Sequence, residues 1–111
     1  MTETLNKSTR DAYGPALVEL AALYDDLVVI DGDVGAPAFK DAARNLRSNR
    51  YFNMGIAEIG TSAIAAGMAA EGRTVIVCGY GVFITMRALE AIRSFICYPH
   101  LNVKFLSSHG G

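Results

Sequence analysis

Glu58 is the clearest candidate for a chemical role in this sequence, because it is a carboxylate among apolar and small residues. It lies in residues 50–60, RYFNMGIAEIG, which predict a short strand running into a helix. A carboxylate in the first turn of a helix is favoured by the unpaired N–H groups there, and Glu58 could serve that purpose alone. Because its neighbours are apolar or small, we expect a buried acid.

Two polar loops follow predicted strands. Residues 31–37, DGDVGAP, come after the apolar run 27–30, and residues 107–111, SSHGG, come after the run 101–106. In open α/β sheets ligands bind at the carboxyl ends of the strands, so both loops are candidate site elements. The Asp and Gly residues of the first loop could equally form a tight turn and nothing more.

Hydrophobic spacing predicts the elements that would position these loops. Apolar residues at helical spacing predict a helix over residues 11–24, with Thr9 as its candidate N-cap and Pro15 as an obstacle near its start. Further along, the patterns predict strand 27–30, helix 39–46, a strand at Tyr51 and Phe52, helix 56–70, strand 74–78, helix 80–97 and strand 101–106. This alternation indicates an α/β fold with a parallel sheet.

Two helices carry more specific expectations. Helix 56–70 has almost no polar face and two strips of small residues, so we expect it to be buried on all sides, at a sheet or subunit interface. Gly72 is placed to end it. In helix 80–97, Arg87 and Glu90 are three residues apart, a spacing at which they could pair on the polar side.

Composition narrows the class of partner. The chain has 111 residues, enough for one domain, and its 51% hydrophobic content is typical of a globular protein. Ten basic and eleven acidic residues, with no basic run, give a net charge of -1 and argue against nucleic acid or an anionic membrane as partner. Small molecules or proteins are the expected partners.

The cysteines and the N-terminus indicate the compartment. Cys78 and Cys97 lack the spacing of a metal or redox site, and the N-terminus lacks the apolar core of a signal peptide. The longest small or apolar run is shorter than the roughly 20 residues of a membrane-spanning helix. We therefore expect a cytoplasmic protein without a membrane span.

Four motifs in order resemble one known family. The segments RYFNMGIAE, AAGMAAEG, VCGYGVFITMRALEAIR and CYPHLNVKFLSSHGG are similar to the pyrimidine-binding domain of transketolase, and most of all to the C-terminal half of split transketolases. The resemblance implies a parallel-sheet, three-layer domain over residues 9–111, incomplete at its C-terminus. Residues 1–8 are polar, and we expect them to form a disordered tail. Because the chain stops after a strand that reads as central, we expect truncation or a partner that completes the sheet.

The resemblance also implies thiamine diphosphate chemistry. In this family the cofactor lies between the pyrimidine-binding domain of one unit and the diphosphate-binding domain of another, in a dimer or tetramer. Glu58 matches the glutamate that hydrogen-bonds the aminopyrimidine ring, where a carboxyl proton favours the imino tautomer that activates the thiazolium carbon. The Mg2+ and diphosphate site belongs to the partner half, since Asp31-Gly32-Asp33 inverts the family's Gly-Asp-Gly motif. No metal ligand is expected here.

Five further residues match family positions. Tyr80 and Phe83 match aromatic residues that pack on the aminopyrimidine ring, although ordinary core packing would also explain them. Asp33 matches an acidic residue near the cofactor. Arg10 and His109 match residues that contact the phosphate end of the sugar substrate, where a planar guanidinium suits a phosphate; as alternatives, they are a solvated helix end and a terminal loop residue.

The sequence also departs from the family. Residues 36–38, APA, replace a Ser or Thr that helps many relatives bind the sugar phosphate, and Ile59 replaces a polar residue after the glutamate. The resemblance also predicts an acidic loop and a histidine motif just beyond Gly111, where the 111 residues end.

Three functions remain open from the sequence. The first is part of a transketolase in the pentose phosphate pathway, which transfers a two-carbon ketol unit between sugar phosphates together with its diphosphate-binding half. The second is a sister thiamine enzyme, either 1-deoxyxylulose-5-phosphate synthase or the β subunit of a 2-oxo acid dehydrogenase. The third is a non-catalytic remnant or interaction module of the same fold.

Overall fold

A computed structural model describes residues 8–33, 45–46 and 49–110. Its α-helices and strands are α1 (Thr9–Leu23), β1 (Leu27–Asp31), β2 (Tyr51–Asn53), α2 (Glu58–Ala70), β3 (Thr74–Tyr80) and β4 (Val103–Ser108). Between β3 and β4 lie three consecutive helical segments, together called α3 below. They are a π-helical segment Phe83–Arg87, an α-helical turn Leu89–Ala91 and a second π-helical segment Ile92–Cys97.

The strands of the described residues form one parallel sheet in the order β2-β1-β3-β4. Val29 of β1 is in register with Tyr51 of β2 on one side and with Ile76 of β3 on the other. In the next pair, Val77 of β3 faces Phe105 of β4. Because every strand runs in the same direction, the carboxyl ends of all four lie along one edge of the sheet.

Side chains alternate between two cores, one on each face of the sheet. On the first face, α1 packs against Leu27, Val29, Ile76 and Cys78 through Leu17 and Ala21. On the second, α2 packs against Val28, Ile30, Val75 and Val77 through Ala65 and Ala69. Strands buried on both faces are typical of parallel sheets, and the predicted three-layer α/β fold is confirmed.

Helix α1 begins two residues earlier than predicted. Ser8, not Thr9, is its N-cap, and the Ser8 side chain accepts a hydrogen bond of 3.2 Å from the N–H of Asp11. Pro15 lies inside the helix without ending it, because the buried residues Gly14 and Leu17 hold that turn against the sheet.

Helix α2 is shorter and less enclosed than predicted. It begins at Glu58 and not at residue 56, and it ends before Gly72, whose φ of 90° is the left-handed conformation that favours glycine. The face with Thr61, Ser62 and Ala65 is buried, whereas Ile59 and Gly67 are exposed. One chain therefore covers one face of α2, and the prediction that the helix is buried on all sides is wrong for the chain by itself.

The second half of the chain corrects two predictions. Glu90 pairs with Arg93 at 2.9 Å, and Arg87 pairs instead with Glu58 at 3.3 Å, so the predicted Arg87–Glu90 pair is wrong. Strand β4 starts at Val103 and continues to Ser108, so Ser107 and Ser108 extend the sheet where a loop was predicted.

Some predictions lie outside the described residues. These are residues 1–7 of the predicted tail, nearly all of the predicted helix 39–46, and the departure at residues 36–38. Across the described part of the chain, no helix is both long and apolar enough to cross a membrane.

Candidate active site at the carboxyl edge of the sheet

The predicted site residues all lie near one edge of the sheet. Tyr80 ends β3, while Asp33 and His109 follow the ends of β1 and β4. Glu58 begins α2, just after β2, and Arg10 lies in the first turn of α1. This is the edge formed by the carboxyl ends of the parallel strands, where open α/β sheets bind ligands.

A tight turn brings Glu58 to this edge. After β2, Asn53 Oδ1 accepts a hydrogen bond of 2.9 Å from the N–H of Gly55, and Gly55 has a φ of 70°. The chain then enters α2 with Glu58 as its first residue, while the N-cap residue, Ala57, makes no side-chain capping bond. The Glu58 side chain is only 10% exposed, so the turn places a nearly buried carboxylate at the start of the helix.

A pocket surrounds this carboxylate. The Glu58 pocket, as it is called below, encloses about 80 Å³ and is lined by Gly32, Asp33, Ile56, Glu58, Thr61, Val77, Cys78, Gly79, Tyr80, Phe83 and Ile84. Four of the predicted site residues, Asp33, Glu58, Tyr80 and Phe83, thus line a single cavity. Complete small-molecule sites usually enclose about 300 Å³ or more, so this chain contains space for only part of a ligand.

Aromatic rings form one side of the Glu58 pocket. The ring centroids of Tyr80 and Phe83 are 6.1 Å apart, and the rings are tilted by 42°. The turn from β3 into α3 that carries them is close-packed, because a Cβ added at Gly79 would lie 2.6 Å from Cγ2 of Ile84. Glycine at this position therefore lets Ile84 close the floor of the pocket.

Arg87 is a site residue that the sequence interpretation missed. Its Nη1 lies 3.3 Å from Oε2 of Glu58, and its guanidinium carbon lies 4.7 Å from the centroid of the Phe83 ring. A guanidinium over an aromatic face is a favourable cation–π arrangement. Sequence spacing pointed to Glu90 as its partner, and only the packing of α3 beside α2 shows that Arg87 contacts Glu58.

Thr61 is the second residue that was missed. It lies on α2 three residues after Glu58, is 3% exposed and lines the same pocket. Its hydroxyl oxygen is buried and has no hydrogen-bond partner among the described residues. A hydroxyl inside a small-residue helix carries no signal in the sequence that could have singled it out.

Asp33 lies on the exposed rim of the pocket. Its φ of 60° is unusual for a residue other than glycine, and its Oδ1 accepts a hydrogen bond of 3.1 Å from Nδ2 of Asn53. This bond joins the ends of β1 and β2. The pocket is therefore lined by two carboxylates, the exposed one of Asp33 and the nearly buried one of Glu58.

The thiol that lines the pocket is not activated as a nucleophile. Burial raises the pKa of the Cys78 thiol, and the nearby carboxylate of Asp31 raises it further. Burial also raises the pKa of Tyr51, whose hydroxyl donates a hydrogen bond of 2.6 Å to Oδ2 of Asp31. Both groups are therefore neutral at physiological pH, and nucleophilic catalysis by Cys78 is not supported.

Arg10 and His109 line a second, adjacent cavity with Ser8, Thr9 and Ser108. Arg10 Nε is buried and lacks a hydrogen-bond partner in the described part of the chain. Ser108 Oγ lies 2.8 Å from Nδ1 of His109. The cavity is therefore lined by a guanidinium group with one buried nitrogen that no described residue bonds.

Two contacts fix this second cavity relative to the first. The hydroxyl of Tyr13 donates a hydrogen bond of 2.9 Å to the backbone oxygen of Ser107, which ties α1 to β4. The rings of His109 and Tyr80 meet edge to face, with centroids 4.4 Å apart. Since Tyr80 lines the Glu58 pocket, the two cavities adjoin through this ring pair.

Metal ligation is not a feature of the described residues. They contain no group of three or more His, Cys, Asp or Glu side chains placed to hold a metal ion. The arrangement can hold a ring beside a carboxylate and an anion beside a guanidinium.

Comparisons with known proteins agree on the family to which this chain is similar. Residues 6–111 match the family described as "Transketolase, pyrimidine binding domain". A protein of Methanocaldococcus jannaschii, named as a transketolase C-terminal section, is 37% identical over 105 residues, which are 95% of this chain and 33% of that protein. The 1-deoxy-D-xylulose-5-phosphate synthase of Lachnoclostridium phytofermentans is 36% identical over 109 residues, which cover 94% of this chain and 16% of the enzyme.

A solved structure has the same fold. The protein titled "Split gene transketolase, inactive beta4 tetramer" superposes with a TM-score of 0.81 and 44% sequence identity, over 91% of this chain and 34% of that one. The chain thus spans about a third of the length of these split-transketolase relatives.

Proposed function

The chain belongs to the family of transketolase pyrimidine-binding domains, and from this premise we propose that it is part of the pyrimidine-binding subunit of a transketolase. Such an enzyme depends on thiamine diphosphate and transfers a two-carbon ketol unit from a ketose phosphate to an aldose phosphate. The observation that carries the proposal is the nearly buried carboxylate of Glu58 in a pocket with aromatic walls.

The Glu58 pocket fits the aminopyrimidine end of this cofactor. Aromatic and aliphatic side chains offer flat apolar contact to a ring, and the carboxyl of Glu58 and the hydroxyl of Thr61 offer hydrogen bonds to its edge. The unpartnered Thr61 oxygen is the kind of buried polar atom that a bound ligand satisfies. A cavity of about 80 Å³ suits one ring and not the whole cofactor.

Within the site, Glu58 is proposed to hold a proton at a ring nitrogen. The small exposure of its side chain and the apolar lining keep water from competing for that hydrogen bond. Arg87 contacts one carboxylate oxygen and so orients the group. Tyr80 and Phe83 are proposed to pack on the ring. When bound, thiamine diphosphate supplies the carbon–carbon bond chemistry.

Arg10 and His109 are proposed to bind the phosphate of the sugar substrate. The buried, unpartnered Nε of Arg10 supports this, because a guanidinium forms strong charge-assisted hydrogen bonds with phosphate oxygens. The contact between His109 and Tyr80 places this cavity next to the ring pocket, as a substrate that spans both would need.

A partner subunit is proposed to complete the site. The small size of the Glu58 pocket and the exposed side chains of Ile56, Val82 and Met86 near it support a covering surface from another chain. We propose the diphosphate-binding transketolase half, with the cofactor's Mg2+ bound there, in a homo- or hetero-oligomer. The solved neighbour is titled an inactive β4 tetramer, which supports the expectation that this subunit alone is inactive. We further propose a cytoplasmic enzyme of the pentose phosphate pathway.

A second candidate is 1-deoxyxylulose-5-phosphate synthase. The 36% identity to one such enzyme, over 94% of this chain, favours it. The two candidates differ in their donor, which is a ketose phosphate for transketolase and pyruvate for the synthase.

The test is reconstitution of the complete subunit with its diphosphate-binding half, thiamine diphosphate and Mg2+. Turnover with a ketose phosphate donor but not with pyruvate is expected, and Glu58→Gln should abolish it. Glu90→Gln is the matched control, because Glu90 is an exposed carboxylate paired with Arg93 outside the pocket. Turnover with pyruvate as the donor, and not with a ketose phosphate, would favour the synthase. Full activity of Glu58→Gln would exclude the proposed role of Glu58.

A further inference from the structure

Thr61 has a feature that ordinary helix packing does not explain. Its side chain is buried in the first turn of α2, and its hydroxyl oxygen has no hydrogen-bond partner among the residues described. A buried polar group without a partner costs free energy, so such groups are rare unless a ligand or water completes them.

The neighbouring residue on the same helix shows the usual solution. Ser62 is also buried, and its Oγ donates a hydrogen bond of 2.8 Å to the backbone oxygen of Glu58, four residues earlier. The equivalent carbonyl for Thr61 is that of Ala57, which accepts the backbone N–H of Thr61 at 2.8 Å and no bond from the Thr61 hydroxyl. Two adjacent hydroxyls in one helix thus differ in whether the helix itself satisfies them.

Thr61 also differs from Ser62 in position, because Thr61 lines the Glu58 pocket and Ser62 is not among its lining residues. Thr61 and Glu58 are three residues apart, so they lie on the same side of the helix, and both line the Glu58 pocket. Other lining side chains on this part of the pocket are apolar, among them Ile56, Val77 and Ile84. Of the pocket-lining residues that α2 contributes, Thr61 is therefore the polar neighbour of Glu58.

We propose that Thr61 is a second ring-binding residue, whose hydroxyl hydrogen-bonds the edge of the aminopyrimidine beside the atom held by Glu58. This inference rests on the proposed function. An aminopyrimidine presents ring nitrogens and an amino group, which is more than one carboxyl can satisfy, and a hydroxyl can either donate to a ring nitrogen or accept from the amino group. Two contacts from one helix turn would fix the rotation of the ring in its plane.

Thr61→Val tests the proposal, because valine keeps the shape of the side chain and removes the hydroxyl. A single hydrogen bond of ordinary strength corresponds to an affinity loss of about three- to tenfold. The dissociation constant of thiamine diphosphate should rise by that factor in the reconstituted complex, measured by isothermal titration calorimetry. Thr61→Ser, which keeps the hydroxyl, should bind within about twofold of the wild type.

Stability in the absence of cofactor separates binding from folding. Removing an unpartnered buried hydroxyl should leave the melting temperature of the cofactor-free Thr61→Val complex unchanged or higher. Ser62→Ala is the matched control: it loses a hydrogen bond within the helix, so its melting temperature should fall while its affinity for the cofactor stays near that of the wild type.

The outcomes are distinct. Weaker cofactor binding in Thr61→Val with restoration in Thr61→Ser supports the proposal, whereas equal affinity in wild type and Thr61→Val overturns it and leaves the proposed function intact. Absence of cofactor binding by the wild-type complex would overturn both. If Thr61→Val fails to assemble, Thr61→Ala replaces it in the same comparison with Thr61→Ser.

Discussion

The two edges of the parallel sheet differ in whether their buried polar groups have hydrogen-bond partners within the chain. At the amino edge, Arg50 donates hydrogen bonds to the backbone oxygens of Leu27 at 3.0 Å and Ala21 at 2.8 Å, and also to that of Tyr24. At the carboxyl edge, the hydroxyl of Thr61 and Nε of Arg10 are buried without partners among the described residues.

A second set of hydrogen bonds links side chains at the amino edge. Thr74, at the start of β3, donates a hydrogen bond of 2.7 Å to Asp26, which precedes β1, and accepts one of 3.1 Å from Asn102, which precedes β4. Together with Arg50 before β2, these side chains connect the beginnings of all four strands. The carboxyl edge has its own hydrogen bonds, such as Asn53 to Asp33, but among the described residues it is also where the two buried, unpartnered side-chain atoms lie.

Arg50→Met should have the largest effect on stability. Three backbone oxygens lose a charged donor, and because hydrogen bonds to charged groups are worth about 1.5–3 kcal/mol each and water replaces part of the loss, we expect the free energy of unfolding to fall by about 2–4 kcal/mol. Urea denaturation of the complete subunit measures this change.

Arg73→Met is the control for Arg50→Met. Arg73 is an exposed arginine near the same edge, and its loss should change the free energy of unfolding by no more than about 0.5 kcal/mol. Equal stability of wild type and Arg50→Met would mean that the amino edge is not the stabilising one, and the comparison between the edges would fail.

Arg10→Met, at the carboxyl edge, should weaken substrate binding without lowering the free energy of unfolding. Because one charge-assisted hydrogen bond to phosphate is worth about 1.5–3 kcal/mol, the KM for a ketose phosphate donor should rise by about tenfold or more, with little change in kcat. The free energy of unfolding should stay the same or increase, since an unpartnered buried nitrogen is removed.

Steady-state kinetics of the reconstituted enzyme and urea denaturation together measure the effect of Arg10→Met. Arg93→Met is the matched control, because Arg93 bonds to Glu90 on the surface, away from both cavities. An unchanged KM in Arg10→Met would remove Arg10 from the phosphate site.

The sequence allowed most of the fold to be predicted, because its signals are local. Continuous β-branched runs such as residues 74–78 placed the buried strands, and Gly72 ended α2 as predicted, with a φ of 90°. The boundaries of α2 and β4 were wrong by a few residues. They depend on tertiary hydrogen bonding, such as the pairing of Ser108 with Tyr80 that extends β4.

Only those site residues that lie in recognisable family motifs could be predicted from the sequence. Glu58, Tyr80 and Phe83 followed from the family resemblance, and the structure brings them into one pocket. Arg87 and Thr61 were missed because what defines them is contact between α2 and α3 and the absence of a hydrogen-bond partner. Neither property is encoded in residue spacing.

Asp26→Asn should give the smallest effect, which appears as a change in pH dependence. The hydrogen bond from Thr74 lowers the pKa of Asp26 in the folded state below its ordinary value near 3.8. A carboxylate with a lowered pKa stabilises the folded state above its unfolded-state pKa, and this contribution disappears as the pH falls through the lower, folded-state value. The wild type should therefore lose free energy of unfolding below about pH 4, and Asp26→Asn should lose less over the same interval.

Thr74→Val removes the donor of this bond and should flatten the pH profile of stability in the same way. The double variant should show no further flattening, because the two residues act through one bond. Urea denaturation at a series of pH values measures the profiles. An acid-side slope that is the same in Asp26→Asn and wild type would show that this bond does not contribute to the stability of the amino edge, and Arg50 would then be its main determinant.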